Sequence, residues 1–404
     1  MRIPYFLRPT LLVACCVTAF HAGCAQSPRV PATTASIQRE PLVLGAERMD
    51  VYLPKLDGKR VALLVNHTSM VKNVHLADTL LRRGVKVVSI FSPEHGFRGD
   101  ADAGAKVDGG RDEATGLPVV SLYGSRKKPT PEQLRGIDCV VFDIQDVGVR
   151  FYTYISSLHY LMEACAENGV GVMVLDRPNP NGDYVDGPVL DLKHRSFVGM
   201  HPIPVVHGLT VGELAGMVNG EKWLAGERAC SLTVVPMTGY DHQLRYEPPV
   251  KPSPNLPNYA SIRWYPSLCF FEATPVSVGR GTAFPFQVAG YPDPAMGAFT
   301  FTPQAIAGMD SNPLHKGKTC YGIDLRAADP IPPFTLKILL DFRSRWTAVS
   351  PFVNRPDFFT LLAGTDALLK QIDAGMSEAQ IRASWQPKLE VYRALREKYL
   401  LYRP

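Results

Sequence analysis

The chain has 404 residues, of which 46% are hydrophobic and 20% are charged. This length exceeds the usual ~100–200 residues of one domain, and the composition is that of a folded protein. A small disulfide-stapled module and intrinsic disorder are therefore excluded. Lys plus Arg number 43 and Asp plus Glu number 38, for a net charge of +5. This mild excess gives no reason to expect a nucleic-acid partner.

The N-terminus has the pattern of an export signal. Arg2 and Arg8 form a basic region, and residues 11–20 form an apolar run too short to span a bilayer as a mature helix. We therefore predict a signal peptide at 1–23. Residues 24–39 are rich in Ser, Pro, Thr and Gln, and we interpret them as a tether.

The predicted cleavage site determines how the exported protein is held. Ala22-Gly23-Cys24 resembles a bacterial lipobox, in which Cys24 becomes the lipidated first residue, although His21 replaces the usual Leu. Two forms stay open: an outer-membrane-anchored lipoprotein and a soluble periplasmic protein. A lipid on Cys24 would be the only contact with a membrane.

The remaining cysteines do not have the spacing of a metal site. Five lie beyond Cys24, and an odd number cannot all be paired with one another. We predict no metal, and we expect activity to survive exhaustive chelation. These cysteines are Cys139, Cys165, Cys230, Cys269 and Cys320.

From residue 40 to 236 the sequence alternates short β-branched apolar runs with helix-like stretches. Near-continuous apolar strands separated by helices are typical of a parallel sheet covered on both faces, so we predict an α/β, Rossmann-like domain here. Gly84 and Gly169 follow two of the helices, where glycine commonly ends them. The predicted strands are 61–65, 85–91, 139–142, 170–175 and, less clearly, 203–206, and the predicted helices are 74–83, 155–168 and 211–224.

The alternation of apolar runs and helix-like stretches ends after residue 236. Prolines break the chain between 248 and 257, and the segment through Pro294 is rich in aromatics and Gly without helical rhythm. We predict a smaller α+β domain over 237–404 that closes a cleft. Its C-terminal end has helical patterns at 357–374, at 378–384 with Ser377 as cap, and at 388–399.

Polar side chains follow each predicted strand. In an open parallel sheet the carboxyl ends of the strands meet at one edge, where ligands bind. One polar loop is explained by exposure alone, but five in succession indicate a site. The candidates are Asn66 and His67, Glu94 and His95, Asp143 and Asp146, Asp176, Arg177 and Asn179, and His207.

The same loops argue against cofactors. The turn after the first strand, Asn66-His67-Thr68-Ser69, is not glycine-rich, and no phosphate-binding loop is present. No histidine pair has zinc-hydrolase spacing, and no Gly-x-Ser-x-Gly elbow suggests an esterase. We therefore predict no cofactor.

With these alternatives set aside, the candidate residues are carboxylates, arginines and aromatics. Such a mixture suits a sugar ligand, because its hydroxyls need polar partners while its ring faces stack on aromatic side chains. Arg150, Tyr152 and Tyr154 follow Asp146, and Glu272 and Arg280 come from the second domain. For Phe151, Phe270 and Phe271, core packing is the favoured interpretation.

At these motifs the sequence resembles the exo-β-N-acetylmuramidase (NamZ-like) family of bacterial cell-wall recycling. The resemblance spans roughly residues 43 to 400, and its motifs are specific only in combination. It is carried by Val65-Asn-His-Thr-Ser69, Ser92-Pro-Glu-His-Gly-Phe-Arg-Gly99, Phe142-Asp-Ile-Gln-Asp-Val-Gly-Val-Arg-Phe-Tyr-Thr-Tyr154, Leu175-Asp-Arg-Pro-Asn-Pro180, Pro254-Asn-Leu-Pro257, Phe271-Glu-Ala-Thr274 and Ser277-Val-Gly-Arg-Gly-Thr282.

The resemblance implies a glycoside hydrolase with its active site between a Rossmann-like and a smaller domain. Its implied partners are peptidoglycan fragments, muropeptides or N-acetylmuramyl disaccharides, from whose non-reducing ends it would release N-acetylmuramic acid. A non-catalytic cell-wall sugar-binding lipoprotein is the alternative, and an esterase or amidase ranks lower.

Glycoside cleavage requires a carboxylic acid, and Glu94 is our candidate. The second carboxylate stays open between Glu272, then Asp146, with Asp143 and Asp176 also in view. Retention or inversion is equally open. Arg150, Arg177 or Arg280 would grip the lactyl carboxylate, since a guanidinium binds a carboxylate through two parallel hydrogen bonds.

Overall fold

The computed structural model describes residues 40–94, 96–97 and 110–404. Residues 40–404 form one compact unit. The predictions made for Cys24, for the signal peptide and tether, and for His95 lie outside the described residues. No helix in the described part is both long and apolar enough to cross a membrane.

Strands and helices alternate through the first half of the described chain. The strands are β1 (Arg60–Val65), β2 (Met70–Val71), β3 (Val74–His75), β4 (Lys86–Ser92), β5 (Gly110–Arg111), β6 (Pro118–Ser121), β7 (Cys139–Asp143), β8 (Gly171–Leu175), β9 (Leu232–Val235), β10 (Val288–Tyr291), β11 (Phe299–Phe301) and β12 (Cys320–Asp324). The helices are α1 (Met49–Leu56), α2 (Leu76–Arg82), α3 (Pro131–Leu134), α4 (Tyr154–Asn168), α5 (Val211–Gly220), α6 (Tyr259–Leu268), α7 (Lys337–Arg345), α8 (Pro356–Ala363), α9 (Ala367–Asp373) and α10 (Glu378–Glu397).

A seven-stranded sheet in the order β5-β6-β4-β1-β7-β8-β9 organises this half. Its strand pairs are parallel except for the antiparallel edge pair β5 and β6. The predicted Rossmann-like sheet is confirmed, with β1, β4, β7 and β8 at the four clear apolar runs. All four carboxyl ends point to the same edge, which is where a ligand crevice forms in such a sheet.

Helices cover both faces of this sheet because side chains alternate along each strand. Val61, Leu63 and Val65 of β1 pack with α1 and α2. Ala62 and Leu64 point to the other face, into the core that contains α4 and α5. The polar strand-end residues therefore lie at the edge of a sheet whose central strands are mostly buried.

The predicted strand at 203–206 is wrong. Only Val206 of this run makes β-bridges, isolated ones to Val149 and Asp186. Pro204 lacks the N–H that a central strand must donate, so the segment stays a loop. The outer strand of the sheet is β9, and β6 was likewise not predicted.

The C-terminal region contains a three-stranded antiparallel sheet, β10-β12-β11, and helices that share the main core. This confirms the smaller α+β region, with three corrections. Helix α6 lies in the segment predicted to be irregular, where Asn258 caps it by accepting from Ser261 N. The helix predicted at 357–374 is broken at Gly364, whose φ is 71°. The helices predicted at 378–384 and 388–399 are one continuous helix, α10, which contains Pro387.

Candidate active site

A cavity of about 240 Å³ opens at the carboxyl edge of the large sheet. The residues around it come from strand ends and from the C-terminal region. Of the predicted site residues it brings together five: Glu94, Tyr152, Tyr154, Glu272 and Arg280. Its remaining lining is Tyr123, Phe151, Thr153, Phe197, Val198, Ser253, Asn255, Leu256, Tyr265 and Phe286.

Glu94 reaches this cavity from the turn after β4. Its Oε1 accepts a hydrogen bond of 3.0 Å from the hydroxyl of Tyr123, which follows β6. Burial, with a further contribution from the nearby Glu94, raises the pKa of Tyr123, so the phenol stays protonated and acts as a donor. Glu94 is thus a carboxylate at the cavity wall with a fixed partner.

Glu272 lies on a 3₁₀ turn, Cys269–Ala273, that follows α6. Its Oε1 accepts hydrogen bonds from Arg280 Nη2 at 2.5 Å and Nε at 3.1 Å. Burial opposes the charge on Arg280, but the neighbouring Glu272 carboxylate outweighs it and raises the pKa of Arg280. The two side chains form an ion pair on the cavity wall that the C-terminal region contributes.

Aromatic side chains form the floor of the cavity. Tyr152 and Tyr154 meet edge to face with ring centroids 5.0 Å apart, and Phe151 meets Tyr265 at 5.3 Å. The Tyr152 hydroxyl donates to the carbonyl of Pro252 at 2.8 Å, which ties the proline-rich loop to the start of α4. Such apolar ring surfaces suit the faces of a sugar.

Arg150 does not line this cavity. It is fully buried, and its Nη1 donates to the carbonyls of Pro188 and Ile203 while Nη2 donates to those of Leu362 and Ala363. A guanidinium committed to four carbonyls in the interior has no face left for a ligand. The structure thus assigns Arg150 a packing role where the sequence suggested a contact with substrate.

Arg177 and Asp143 form a buried ion pair beside the cavity. Arg177 Nε and Nη2 donate to the two oxygens of Asp143 at 2.5 and 2.9 Å, and Nη2 also donates to Met70 O. Arg177 lines a second cavity of about 310 Å³, on the other side of the proline-rich loop. Asp143 and Arg177 therefore hold strand ends together outside the first cavity.

Three further predicted residues, Asn66, His67 and Asn179, lie at turns of the sheet edge. Asn66 Oδ1 accepts from the amide and hydroxyl of Thr68, and Asn179 Oδ1 accepts from the amide of Asn181. His67 Nε2 lies 2.9 Å from Lys251 O. Asp176 is fully buried beneath this layer.

The Asp176 carboxylate accepts hydrogen bonds from Thr210 Oγ1, Tyr402 Oη and Gly212 N. Burial raises the pKa of Asp176 to about 6. This network joins β8, the start of α5 and the C-terminal segment.

Asp146 and His207 lie together below the cavity. His207 Nε2 is 3.9 Å from Asp146 Oδ2, which accepts from Gly148 N at 2.6 Å, while Asp146 Oδ1 is buried and meets no partner among the described residues. Burial raises the pKa of Asp146 to about 7 and lowers that of His207 to about 3. Neither Asp146 nor His207 is among the residues that line the cavity.

Sequence reasoning missed Tyr123 and Asn255, which also face the cavity. Tyr123 could have been found, because Val119-Val120 is a short β-branched run and Gly124 follows it, as in the other strand–turn units. Asn255 lies in the Pro254-Asn-Leu-Pro257 motif, but the sequence did not show that it faces the cavity, since its position depends on the path of an irregular loop.

Two carboxylates and several aromatic rings around one cavity are typical of the class of glycoside hydrolases. The comparisons with known proteins agree. Residues 61–260 match the family model for the N-terminal domain of exo-β-N-acetylmuramidase NamZ, and residues 263–402 match that for its C-terminal domain. The chain belongs to this family.

Similar proteins cover most of the chain. The peptidoglycan β-N-acetylmuramidase NamZ of Bacillus subtilis is 37% identical over 372 residues, covering 87% of this chain and 89% of the relative. Two crystal structures of DUF1343 family proteins from Bacteroides fragilis each cover 90% of this chain and 99% of their own. Their identities are 46% and 30%, with TM-scores of 0.83 and 0.78.

Proposed function

We propose that this protein is a peptidoglycan muramidase that releases N-acetylmuramic acid from the non-reducing ends of peptidoglycan fragments. The observation that carries the proposal is the placement of Glu94, Glu272 and Arg280 around one aromatic-lined cavity. The name of the Bacillus subtilis relative supports the same substrate class. Because that relative is named as an enzyme, we do not favour the alternative of a sugar-binding protein without catalysis.

In this proposal Glu94 is the general acid that protonates the leaving glycosidic oxygen. Glu272 is the second carboxylate, as nucleophile or as base, because it reaches the cavity whereas Asp146 lies below it. Glu272 also pairs with Arg280, whose guanidinium fixes the orientation of this carboxylate at the cavity wall.

The first test is turnover of a chromogenic N-acetylmuramide by Glu94→Gln. We expect a loss of about 10²-fold or more in kcat, with unchanged folding, since positioned acids contribute about 10²–10⁴-fold. Glu272→Gln should lose a comparable factor. Normal turnover by either variant would remove that residue from the mechanism, and an inactive wild-type protein that still binds the sugar would establish the binding-protein alternative.

Arg280 is our candidate for recognising the lactyl carboxylate. Its Nε and Nη2 are held by Glu272, which orients the guanidinium toward the cavity. Arg150 and Arg177 are engaged elsewhere. A charged hydrogen-bonded contact is worth ~1.5–3 kcal/mol, which corresponds to a factor of about 10–150 in preference.

The test compares N-acetylmuramides with N-acetylglucosaminides, which differ only in the lactyl ether. Arg280→Gln should lose most of the preference for the muramide. Arg326→Gln is the matched control, because Arg326 pairs with Asp324 away from the cavity. An unchanged preference in Arg280→Gln would refute this role.

Export and lipidation of Cys24 complete the proposal, because they would place the enzyme beside its substrate. Cell fractionation of wild type and Cys24→Ser tests both. Release of the variant into the soluble periplasm indicates a lipid anchor, the same soluble distribution for both proteins indicates unanchored export, and retention in the cytoplasm contradicts export.

A further inference from the structure

Tyr123, one hydrogen-bond partner of Glu94 among the described residues, is placed by the sheet. Strands β4 and β6 are parallel neighbours in which Ser92 pairs with Ser121. Glu94 and Tyr123 each lie two residues beyond this pair, at matching positions on adjacent strand ends. The amide of Leu122 donates to Ser92 O at 2.8 Å, which continues the ladder up to Tyr123. The contact between the two side chains therefore rests on rigid backbone.

We infer that Tyr123 is a positioning residue for the acid–base step, holding Glu94 and stabilising its carboxylate as the proton leaves. The inference rests on the proposed function. Tyr123 itself transfers no proton in this step.

The step requires only one proton transfer. The Glu94 carboxyl O–H bond breaks, the proton goes to the glycosidic oxygen, and the electron pair stays on the carboxylate. The hydrogen bond from Tyr123 to Oε1 then acquires an ionised acceptor and becomes stronger, since charge-assisted hydrogen bonds are about twice as strong as neutral ones. An interaction that strengthens along the reaction lowers the barrier.

Other titratable and charged side chains lie near Glu94 and also affect its ionisation. Tyr152 and Tyr154, from the segment leading into α4, are close enough to Glu94 for its charge to raise their pKa values, after the larger effect of burial. Glu272 and Arg280 share the cavity from the C-terminal region. Tyr123 differs from these in donating directly to the Glu94 carboxylate.

Removing the hydroxyl in Tyr123→Phe keeps the ring and deletes this donor. The alkaline limb of the kcat/KM profile should move to higher pH by about one unit, because a hydrogen bond to the charged form of an acid favours its ionisation. The rate on a disaccharide should fall about 10-fold, but less on a nitrophenyl glycoside, whose leaving group needs little protonation.

A direct titration makes the test independent of activity. In protein labelled with ¹³C at the glutamate carboxyl, the Glu94 signal is the one missing from Glu94→Gln. Its pKa is then compared between wild type and Tyr123→Phe. Tyr321→Phe, in the remote strand β12, is the matched control and should leave both the titration and the pH profile unchanged.

The outcomes separate the two proposals. An unshifted Glu94 titration in a folded Tyr123→Phe overturns the inference, and so does a lower rate with an unmoved alkaline limb, which indicates packing alone. A shifted titration in a protein that cleaves no muramide supports the placement of Tyr123 while the proposed function fails. In an active enzyme, Tyr123→Phe should add little to the defect of Glu94→Gln, since both act in one step.

Discussion

Replacing Arg150 by Met should weaken the fold and leave substrate recognition unchanged. The Arg150 guanidinium joins three separate parts of the chain through carbonyls at 2.7–2.8 Å: Pro188, Ile203, and the end of α8. Met preserves the apolar stem, so the change removes the four hydrogen bonds without opening a large cavity.

The magnitude follows from two opposing effects. Hydrogen bonds from a charged donor contribute ~1.5–3 kcal/mol each, so four would suggest more than ~6 kcal/mol. The buried charge works against this sum, because burial lowers the pKa of Arg150 to about 9 and Met carries no charge to desolvate. Each buried acceptor left unpaired costs ~1–3 kcal/mol, and removal of the desolvated charge offsets part of that total, so we expect a net loss of ~3–5 kcal/mol.

The measurement is urea unfolding followed by tryptophan fluorescence, with the slope compared between variants to check that the transition stays two-state. The melting temperature should fall by about 5 °C or more, given the size of the folded unit. Michaelis constants measured well below the transition should agree with wild type within about twofold.

Arg326→Met is the control for this experiment, since it shows how much stability is lost with an exposed arginine. Its ion pair with Asp324 is exposed, and such pairs contribute ~0–1 kcal/mol. A loss below about 1 kcal/mol in Arg150→Met would refute the packing role. A large rise in KM at unchanged stability would restore the contact with substrate that the sequence suggested.

Three further changes test the layer beneath the cavity. Burial raises the pKa of Asp146 to about 7, above an unfolded value of ~3.9. Its contribution to stability is therefore complete below about pH 4 and is lost as the pH rises through about 7. The melting temperature of Asp146→Asn relative to that of wild type should therefore be higher at pH 8 than at pH 5. Gly148→Ala should destabilise the fold by at least ~1 kcal/mol in urea unfolding, because φ is 74° and a Cβ would lie 2.0 Å from Asn179 Oδ1. Tyr402→Phe removes the hydrogen bond to Asp176, and proteolysis of the C-terminal segment should become faster.

The sheet could be predicted because buried parallel strands need continuous apolar runs, and β1, β4, β7 and β8 have them. The wrong and missed strand predictions lie where the local sequence departs from this pattern. Pro204 interrupts a run that is otherwise strand-like. The strands β6 and β9 are mostly half-buried, so neither has the continuous apolar run of the central strands. Helix α6 was missed because its partners come from distant segments, and tertiary packing overrides local composition.

The candidate site could be predicted only to the level of the sheet edge. A residue after a strand is placed at that edge by the pattern, but the direction of its side chain depends on the turn that follows. Glu94 reaches the cavity, whereas Asp143 and Asp176, at equivalent strand ends, point into buried networks. Residue type could not distinguish these outcomes, because buried carboxylates and exposed ones follow strands in the same way.

The buried networks explain why the cavity can be preformed. The C-terminal segment returns to the sheet edge, where Arg396 donates to Gly208 O and the amide of Leu401 donates to Glu213. Arg150 fixes the end of α8 to the same region. Because Arg150 directly precedes the lining residues Phe151 to Tyr154, this wall of the cavity is held by packing and does not need a ligand to assemble it. An enzyme that gains rate by orienting its acid before substrate arrives needs this rigidity.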